Sequence, residues 1–118
     1  MEKKDLKPAG VFKYFEEICQ VPRPSKKEEK MIAYLKAFGA KHNLETKVDE
    51  AGNVLIKKPA TPGKENLQTV VLQSHIDMVC EKNNDVQHDF LTDPIETEID
   101  GEWLKAKGTT LGADNGIG

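Results

Sequence analysis

The sequence predicts an α/β fold, in which a mixed β-sheet is flanked by helices. Two segments near the start place apolar residues at helical spacing, and the segments after residue 44 carry strand-like apolar runs separated by turn residues. Helices come first and strands follow, which is the order expected of a layered α/β structure. The chain has 118 residues, near the common size of a single domain.

Two amphipathic helices open the chain. The first ends before Pro22 and Pro24, because proline cannot continue a helix. Ser25 and Glu28 then form a capping-box pattern that predicts the start of the second helix, which should end near residues 42–43. The apolar positions of the two helices are Val11, Phe12, Phe15, Ile18 and Cys19, followed by Met31, Ile32, Leu35 and Phe38.

Strand patterns follow the helices. Residues 45–49 and 54–57 read as the two arms of a hairpin, with the turn at residues 51–53. Residues 69–73 form the most apolar segment and predict the central strand of the sheet. Two further strands, at residues 95–99 and 103–106, flank Asp100 and Gly101, which is a strong hairpin-turn signal.

Composition excludes several classes of protein. The net charge is −3, without the clustered basic face that nucleic-acid binding requires, and no run approaches the ~18 apolar residues of a membrane span. The opening residues lack the apolar region of a signal peptide. Cys19 and Cys80 lie far apart without a CxxC partner, so we expect free thiols in a reducing, cytoplasmic environment.

His75 and Asp77 follow the apolar segment directly. Residues two apart on a strand point to the same side, and the carboxyl ends of strands in open α/β sheets carry ligand sites. A neutral imidazole is a good zinc ligand, and a nearby carboxylate accepts its second ring N–H. The alternative is a surface histidine beside a helix-capping aspartate, and an isolated H-x-D motif favours that alternative.

Asp114 is the second candidate. The glycines on either side of it, Gly112 and Gly116, permit unusual backbone torsions and close approach to a ligand. Taken alone, an Asp-Asn-Gly sequence favours an ordinary turn. The glycine-rich ending also resembles a connection from a strand to a helix, so we expect the chain to be the front piece of a longer protein.

Two segments resemble a known family. VVLQSHIDMVCEKN and GEWLKAKGTTLGADNGIG look like the zinc aminopeptidase/carboxypeptidase superfamily of dizinc hydrolases, and within it the aminoacyl-histidine dipeptidase (beta-Ala-His dipeptidase) branch. The opening segment FEEICQVPRPSKKEEKM resembles the start of the same branch. The resemblance implies that residues 1–118 are the amino-terminal portion of a metallopeptidase catalytic domain. The rest of that domain, and the lid domain used for dimerisation, would then lie outside the chain.

The resemblance also implies roles for individual residues. His75 corresponds to a zinc ligand, Asp77 to the catalytic aspartate behind that imidazole, and Asp114 to the carboxylate that bridges two zinc ions. The complete active site would hold two Zn²⁺ ions, although other divalent metals are possible. The peptide bond between Asp114 and Asn115 is expected to be cis. The glutamate that acts as general base, and the remaining ligands, would follow residue 118.

The implied function is that of a zinc-dependent, cytoplasmic dipeptidase. The resemblance implies hydrolysis of Xaa-His and other short dipeptides by a full-length homodimer, with no nucleic-acid or membrane partner. We expect the 118-residue chain alone to be inactive and to bind zinc weakly, because two firm ligands fall short of the usual three. Two alternatives stay open: a tripeptide aminopeptidase or deacylase of the same superfamily, and a non-catalytic binding module.

Overall fold

Two helices precede the strands in the structure, as predicted, and a short third helix follows them. A computed structural model describes residues 1–118. A short 3-10 turn at Lys3–Asp5 precedes seven elements, which are α1 (Ala9–Cys19), α2 (Glu29–Lys41), β1 (Glu45–Val48), β2 (Val54–Lys57), β3 (Thr97–Asp100), β4 (Trp103–Ala106) and α3 (Ala113–Gly116). None of the helices has the length and apolarity needed to cross a membrane.

The two predicted helices are confirmed, but the predicted capping box is wrong. α2 begins at Glu29, so its N-cap position is Glu28 rather than Ser25. The Glu28 carboxylate accepts a hydrogen bond from the Lys26 amide at 2.7 Å, and the Ser25 hydroxyl donates to Asp77 instead. The serine is one turn too early to cap the helix, which leaves its side chain free for a long-range contact.

The strands form two separate antiparallel hairpins. β1 pairs with β2, and the Asp49 carboxylate accepts hydrogen bonds from the Ala51 and Asn53 amides in the connecting turn. β3 pairs with β4 through a two-residue turn at Gly101 and Glu102, one residue later than predicted. Gly101 has a φ of +61°, which the first central position of a type II′ hairpin turn requires.

The predicted central strand at residues 69–73 is wrong for this chain. The segment has no strand assignment, and Val70, Val71 and Leu72 are 79%, 77% and 91% exposed. A strand needs hydrogen-bonding partners beside it, and neither hairpin of the chain pairs with these residues. The apolar run therefore leads to His75 without being paired or buried.

A small apolar core lies beneath the site. Its buried members come from α1, from the segment after the apolar run and from the start of the second hairpin, and they are Phe15, Cys19, Met78 and Ile95. The Ile95 amide donates a hydrogen bond to the Cys19 carbonyl at 2.9 Å, which ties the hairpin segment to the end of α1. Because Met78 is part of this core, the core holds the backbone that directly follows Asp77 in place.

Candidate functional site

The structure brings His75, Asp77 and Asp114 together. His75 Nδ1 lies 3.0 Å from Asp77 Oδ1, and His75 Nε2 lies 3.3 Å from Asp114 Oδ2. Each ring nitrogen of the imidazole therefore faces a different carboxylate. The three side chains are 53%, 34% and 76% exposed, so the imidazole and the Asp114 carboxylate remain accessible from solvent while Asp77 is more enclosed.

Asp77 is held by a group that the sequence did not suggest. The Ser25 hydroxyl donates a hydrogen bond to Asp77 Oδ2, while Oδ1 of the same carboxylate faces the imidazole. The hydrogen bond from Ser25, together with that from His75, lowers the pKa of Asp77. The hydrogen bond to Asp77, followed by the one to Asp114, raises the pKa of His75 above its ordinary value.

A short backbone pairing replaces the predicted strand as the support for His75 and Asp77. The Met78 amide donates to the Arg23 carbonyl at 3.0 Å, and the Ser25 amide donates to the Met78 carbonyl at 3.3 Å. These bonds form an isolated parallel bridge between Pro24 and Met78. The two side chains do project together as predicted, but the connection between the helices positions them rather than a central strand.

Asp114 lies in the first turn of α3, and its position depends on the next residue. Asn115 is 7% exposed, and its Nδ2 donates to the carbonyls of His75 and Asp77 at 2.9 Å each. The expected cis bond between Asp114 and Asn115 is not present, since the Lys7–Pro8 bond is the cis bond of this chain. A trans bond agrees with the helical backbone of residues 113–116.

Sequence reasoning missed Ser25, Arg23 and Asn115. The sequence pattern predicts Ser25 at a helix cap, and Asn115 is expected in a turn and after a cis peptide bond, without a side-chain role for either at the site. Arg23 carried a weak signal, because it is the single arginine of the chain and stands between two prolines. That signal does not indicate a partner, since the acceptors of its guanidinium lie 89 and 92 residues further along.

The donor groups fit half of a zinc site. Two ligands at ~2.0 and ~2.1 Å from a tetrahedral zinc ion lie about 3.3 Å apart, and His75 Nε2 and Asp114 Oδ2 show that separation. Asp77 occupies the other ring nitrogen, as the carboxylate behind a zinc-bound histidine does. No group of three or more His, Cys, Asp or Glu side chains forms a complete site. The two groups therefore fit part of a metal site but do not form a complete one.

An open cleft adjoins the site. Its volume is about 780 Å³, and its walls include the start of α2, the β1–β2 hairpin, His75 and Asp77. A volume of this size falls in the range of small-molecule binding sites, about 300–1,000 Å³. The cleft contains both apolar and polar groups, among them Ile32, Asn53 and Gln73.

Comparisons with known proteins relate the chain to dipeptidases, which hydrolyse peptide bonds. It is 51% identical over 117 residues to the cytosol non-specific dipeptidase of Escherichia coli strain K12. It also superimposes on the crystal structure of aminoacylhistidine dipeptidase from Vibrio alginolyticus with a TM-score of 0.94 and 54% identity. No protein-family model matches the chain. The resemblance to aminoacyl-histidine dipeptidases and the α/β fold class are both confirmed.

The chain spans about a quarter of the length of these relatives. Each match covers 99% of the chain but only 24% of the relative. The similarity is thus continuous along the chain, and it includes His75, Asp77 and Asp114 within the matched length. The roles of these three residues and the identity of the metal stay predictions.

Proposed function

We propose that this chain supplies part of the metal centre of a dipeptidase. The observation that carries the proposal is the convergence of His75 Nε2 and Asp114 Oδ2 at 3.3 Å, with Asp77 on the other ring nitrogen. The similarity to two dipeptidases over nearly the whole chain supports the same reading. The complete protein is expected to act in the cytosol, which is where the name of the Escherichia coli relative places that enzyme.

His75 and Asp114 would hold the metal ion. With Nδ1–H donating to the Asp77 carboxylate, Nε2 would give up its contact with Asp114 and use its lone pair to bind the ion. The Ser25 hydroxyl keeps the Asp77 carboxylate in the orientation that selects this tautomer. A pair of zinc ions, when bound, would supply an activated water and polarise the scissile carbonyl.

The proposed site needs groups from outside these 118 residues. A catalytic zinc usually has three protein ligands, and the chain offers two side chains in reach of a common ion. A general base must also accept the proton of the attacking water, and both carboxylates near His75 are committed to other roles. We therefore propose that the isolated chain neither hydrolyses dipeptides nor binds zinc tightly.

The proposed substrates are short peptides, including Xaa-His dipeptides. The cleft beside His75 is large enough for a dipeptide, and its mixed lining suits a substrate with polar termini and variable side chains. The two relatives are named a non-specific dipeptidase and an aminoacylhistidine dipeptidase. We also propose that the complete protein is a homodimer, as the family resemblance implies.

A substrate panel on the complete protein tests the proposal. The zinc-loaded protein should hydrolyse Ala-His and beta-Ala-His, and His75→Ala or Asp114→Ala should abolish turnover. His42→Ala is a matched control, because that histidine is the C-cap of α2, packs on Phe38 and has no contact with the three site residues. Turnover of tripeptides or acylated amino acids, but not of dipeptides, would identify the alternative enzymes of the superfamily. Absence of any metal-dependent hydrolysis would favour a binding module.

A further inference from the structure

Arg23 is a buried cation without a carboxylate partner in hydrogen-bond contact. It is the single arginine of the chain, and only 2% of it is exposed. Its Nη2 donates to the Gly112 carbonyl at 3.1 Å and its Nη1 donates to Asn115 Oδ1 at 3.4 Å, while Nε has no partner. Burying a charge against neutral acceptors costs free energy, so the residue is not explained by its contribution to packing.

The side chain of Arg23 therefore holds the turn that carries Asp114. Both acceptors belong to residues 112–115, and Gly112 is the N-cap residue directly before α3. The contact is also close in space. A Cβ added at Gly112 would lie 2.7 Å from Arg23 Nη2 and 3.0 Å from the Cβ of Met78. The glycine that sequence analysis associated with a ligand thus makes room for this guanidinium.

The backbone of Arg23 holds the other half of the site. Its carbonyl accepts a hydrogen bond from the Met78 amide at 3.0 Å, next to the bridge between Pro24 and Met78. Met78 directly follows Asp77, so this pairing sets the position of the segment that carries Asp77 and His75. A single residue thus contacts both segments, one through its backbone and the other through its guanidinium.

Asn115 completes the connection between the two segments. Its Nδ2 uses both hydrogens on the carbonyls of His75 and Asp77, and its Oδ1 accepts from Arg23. The Ser74 hydroxyl donates to the Asn115 carbonyl at 3.1 Å from the same side. All hydrogens of the amide are used, so the turn cannot shift relative to His75 without breaking a buried hydrogen bond.

We propose that Arg23 is a positioning residue that sets the separation between the His75 imidazole and the Asp114 carboxylate, acting through Asn115 and the Gly112 carbonyl. The consequence for metal binding rests on the proposed function. Groups that orient the ligands of a metal site typically change metal affinity by about 10- to 100-fold when they are removed. Arg23 makes no hydrogen bond to the imidazole or to the Asp114 carboxylate, so it sets their separation through Asn115 and the Gly112 carbonyl.

The test uses Arg23→Met in the complete protein, with two readouts. The first is the crystal structure of the metal-free variant, in which the turn at residues 112–115 should move away from His75. The second is zinc affinity together with the visible absorption spectrum of the cobalt-loaded protein, which reports the geometry of the ligands. We expect zinc affinity to fall about 10- to 100-fold and the cobalt spectrum to change.

A matched control separates positioning from general stability. Thr97 is 5% exposed, and its hydroxyl hydrogen-bonds with Lys3 and Glu16. None of these partners is His75, Asp77 or Asp114. Thr97→Val should lower thermal stability without changing zinc affinity or the cobalt spectrum. Arg23→Ala adds a chemical rescue, because millimolar guanidinium ion should enter the vacated space and restore zinc affinity.

The outcomes separate the inference from the proposed function. An unchanged distance between the two segments in metal-free Arg23→Met would overturn the inference, even if the unsubstituted protein binds zinc. An Arg23→Met protein with unchanged zinc affinity and cobalt spectrum would do the same. Failure of the unsubstituted protein to bind any divalent metal would overturn the proposed function, whereas a displaced turn in the metal-free variant would still support positioning.

Discussion

His75 is controlled through both of its ring nitrogens. Asp77 fixes the tautomer by accepting from Nδ1, and Asp114 faces Nε2. Ser25 in turn anchors Asp77. In the proposed metal site, the ion would replace the contact between Nε2 and Asp114, whereas the contact between Nδ1 and Asp77 would have to persist.

At the residue scale, we predict that Asp77→Asn weakens zinc binding without displacing the metal. The amide keeps the shape of the carboxylate but loses its charge, so the imidazole becomes a less basic ligand. We expect zinc affinity in the complete protein to fall about 10- to 100-fold, measured by competition with a chelator. Ser25→Ala should have a smaller effect of the same sign. Equal affinity in Asp77→Asn and the unsubstituted protein would contradict this role.

The pH dependence of zinc binding follows from the same contacts. A proton on Nε2 competes with zinc, and the hydrogen bond to Asp77 raises the pKa of His75 above its ordinary 6.5. Zinc affinity should therefore increase as the pH rises through this raised pKa and become level above it. In Asp77→Asn the pKa of His75 should fall, so the increase should occur at lower pH. Isothermal titration calorimetry from about pH 5 to about pH 9, on either side of the usual histidine pKa, measures zinc affinity for the unsubstituted protein and for Asp77→Asn.

At the element scale, α2 approaches the Thr46 side chain of β1 so closely that there is no room for a side chain at position 39. Gly39 is buried in α2, and an added Cβ would lie 1.8 Å from Thr46 Oγ1 on β1. Gly10, in α1, has no atom within 4 Å of the corresponding position. The two helical glycines thus differ in surroundings while sharing a backbone conformation.

This difference predicts opposite effects of the same substitution. Gly39→Ala should lower the stability of the complete protein by about 1–3 kcal/mol, because the Thr46 side chain must shift from its hydrogen bond with the Leu44 carbonyl. Gly10→Ala should raise it by up to about 1 kcal/mol through helix propensity. Combining Gly39→Ala with Thr46→Ala should recover part of the loss. Thermal unfolding of the unsubstituted protein, the two single variants and the double variant measures these changes in stability. A Gly39→Ala protein as stable as Gly10→Ala would contradict the close contact between Gly39 and Thr46.

Periodicity predicted the elements that are stabilised by local contacts. Both helices and both hairpins follow from spacing and turn residues, because their hydrogen bonds join residues close in sequence. Residues 69–73 did not follow their pattern, since a strand depends on neighbours that these 118 residues do not supply. Local pattern identifies a segment that can form a strand, whereas pairing requires a partner elsewhere.

The candidate site divides in the same way. Sequence patterns pointed to His75, Asp77 and Asp114, because histidine and aspartate are common metal ligands. The family resemblance then assigned the two separate segments that carry them to one site. The supports of these residues were not found, because each contact crosses a long stretch of sequence. The hydrogen bond from Ser25 to Asp77 spans 52 residues, and that from Arg23 to Asn115 spans 92. No local pattern encodes such a pair.

At the scale of the whole molecule, the chain buries little of itself. Nine of 118 residues are buried, and the radius of gyration is 16.3 Å, whereas a globular domain of this length has about 13 to 14 Å. The exposed apolar residues include Val70, Val71 and Leu72. A chain with so small a core has little hydrophobic stabilisation to offset the entropy of folding.

We therefore predict that the isolated 118-residue chain is inactive and only weakly structured. Added zinc should produce no hydrolysis of Ala-His, and a hydrophobic dye should bind the exposed apolar residues strongly. The complete protein at the same concentration is the control. Metal-dependent turnover by the isolated chain would show that the two ligand positions suffice, contrary to the expected requirement for further ligands.

The most direct measurement is a crystal structure of the complete, zinc-loaded protein with anomalous scattering at the zinc edge. We predict one zinc ion bound to both His75 Nε2 and an Asp114 carboxylate oxygen, each at about 2.0–2.2 Å. Asp77 should still hydrogen-bond to Nδ1 of the same imidazole. Zinc bound at a place remote from these residues, or bound to only one of His75 and Asp114, would contradict the account.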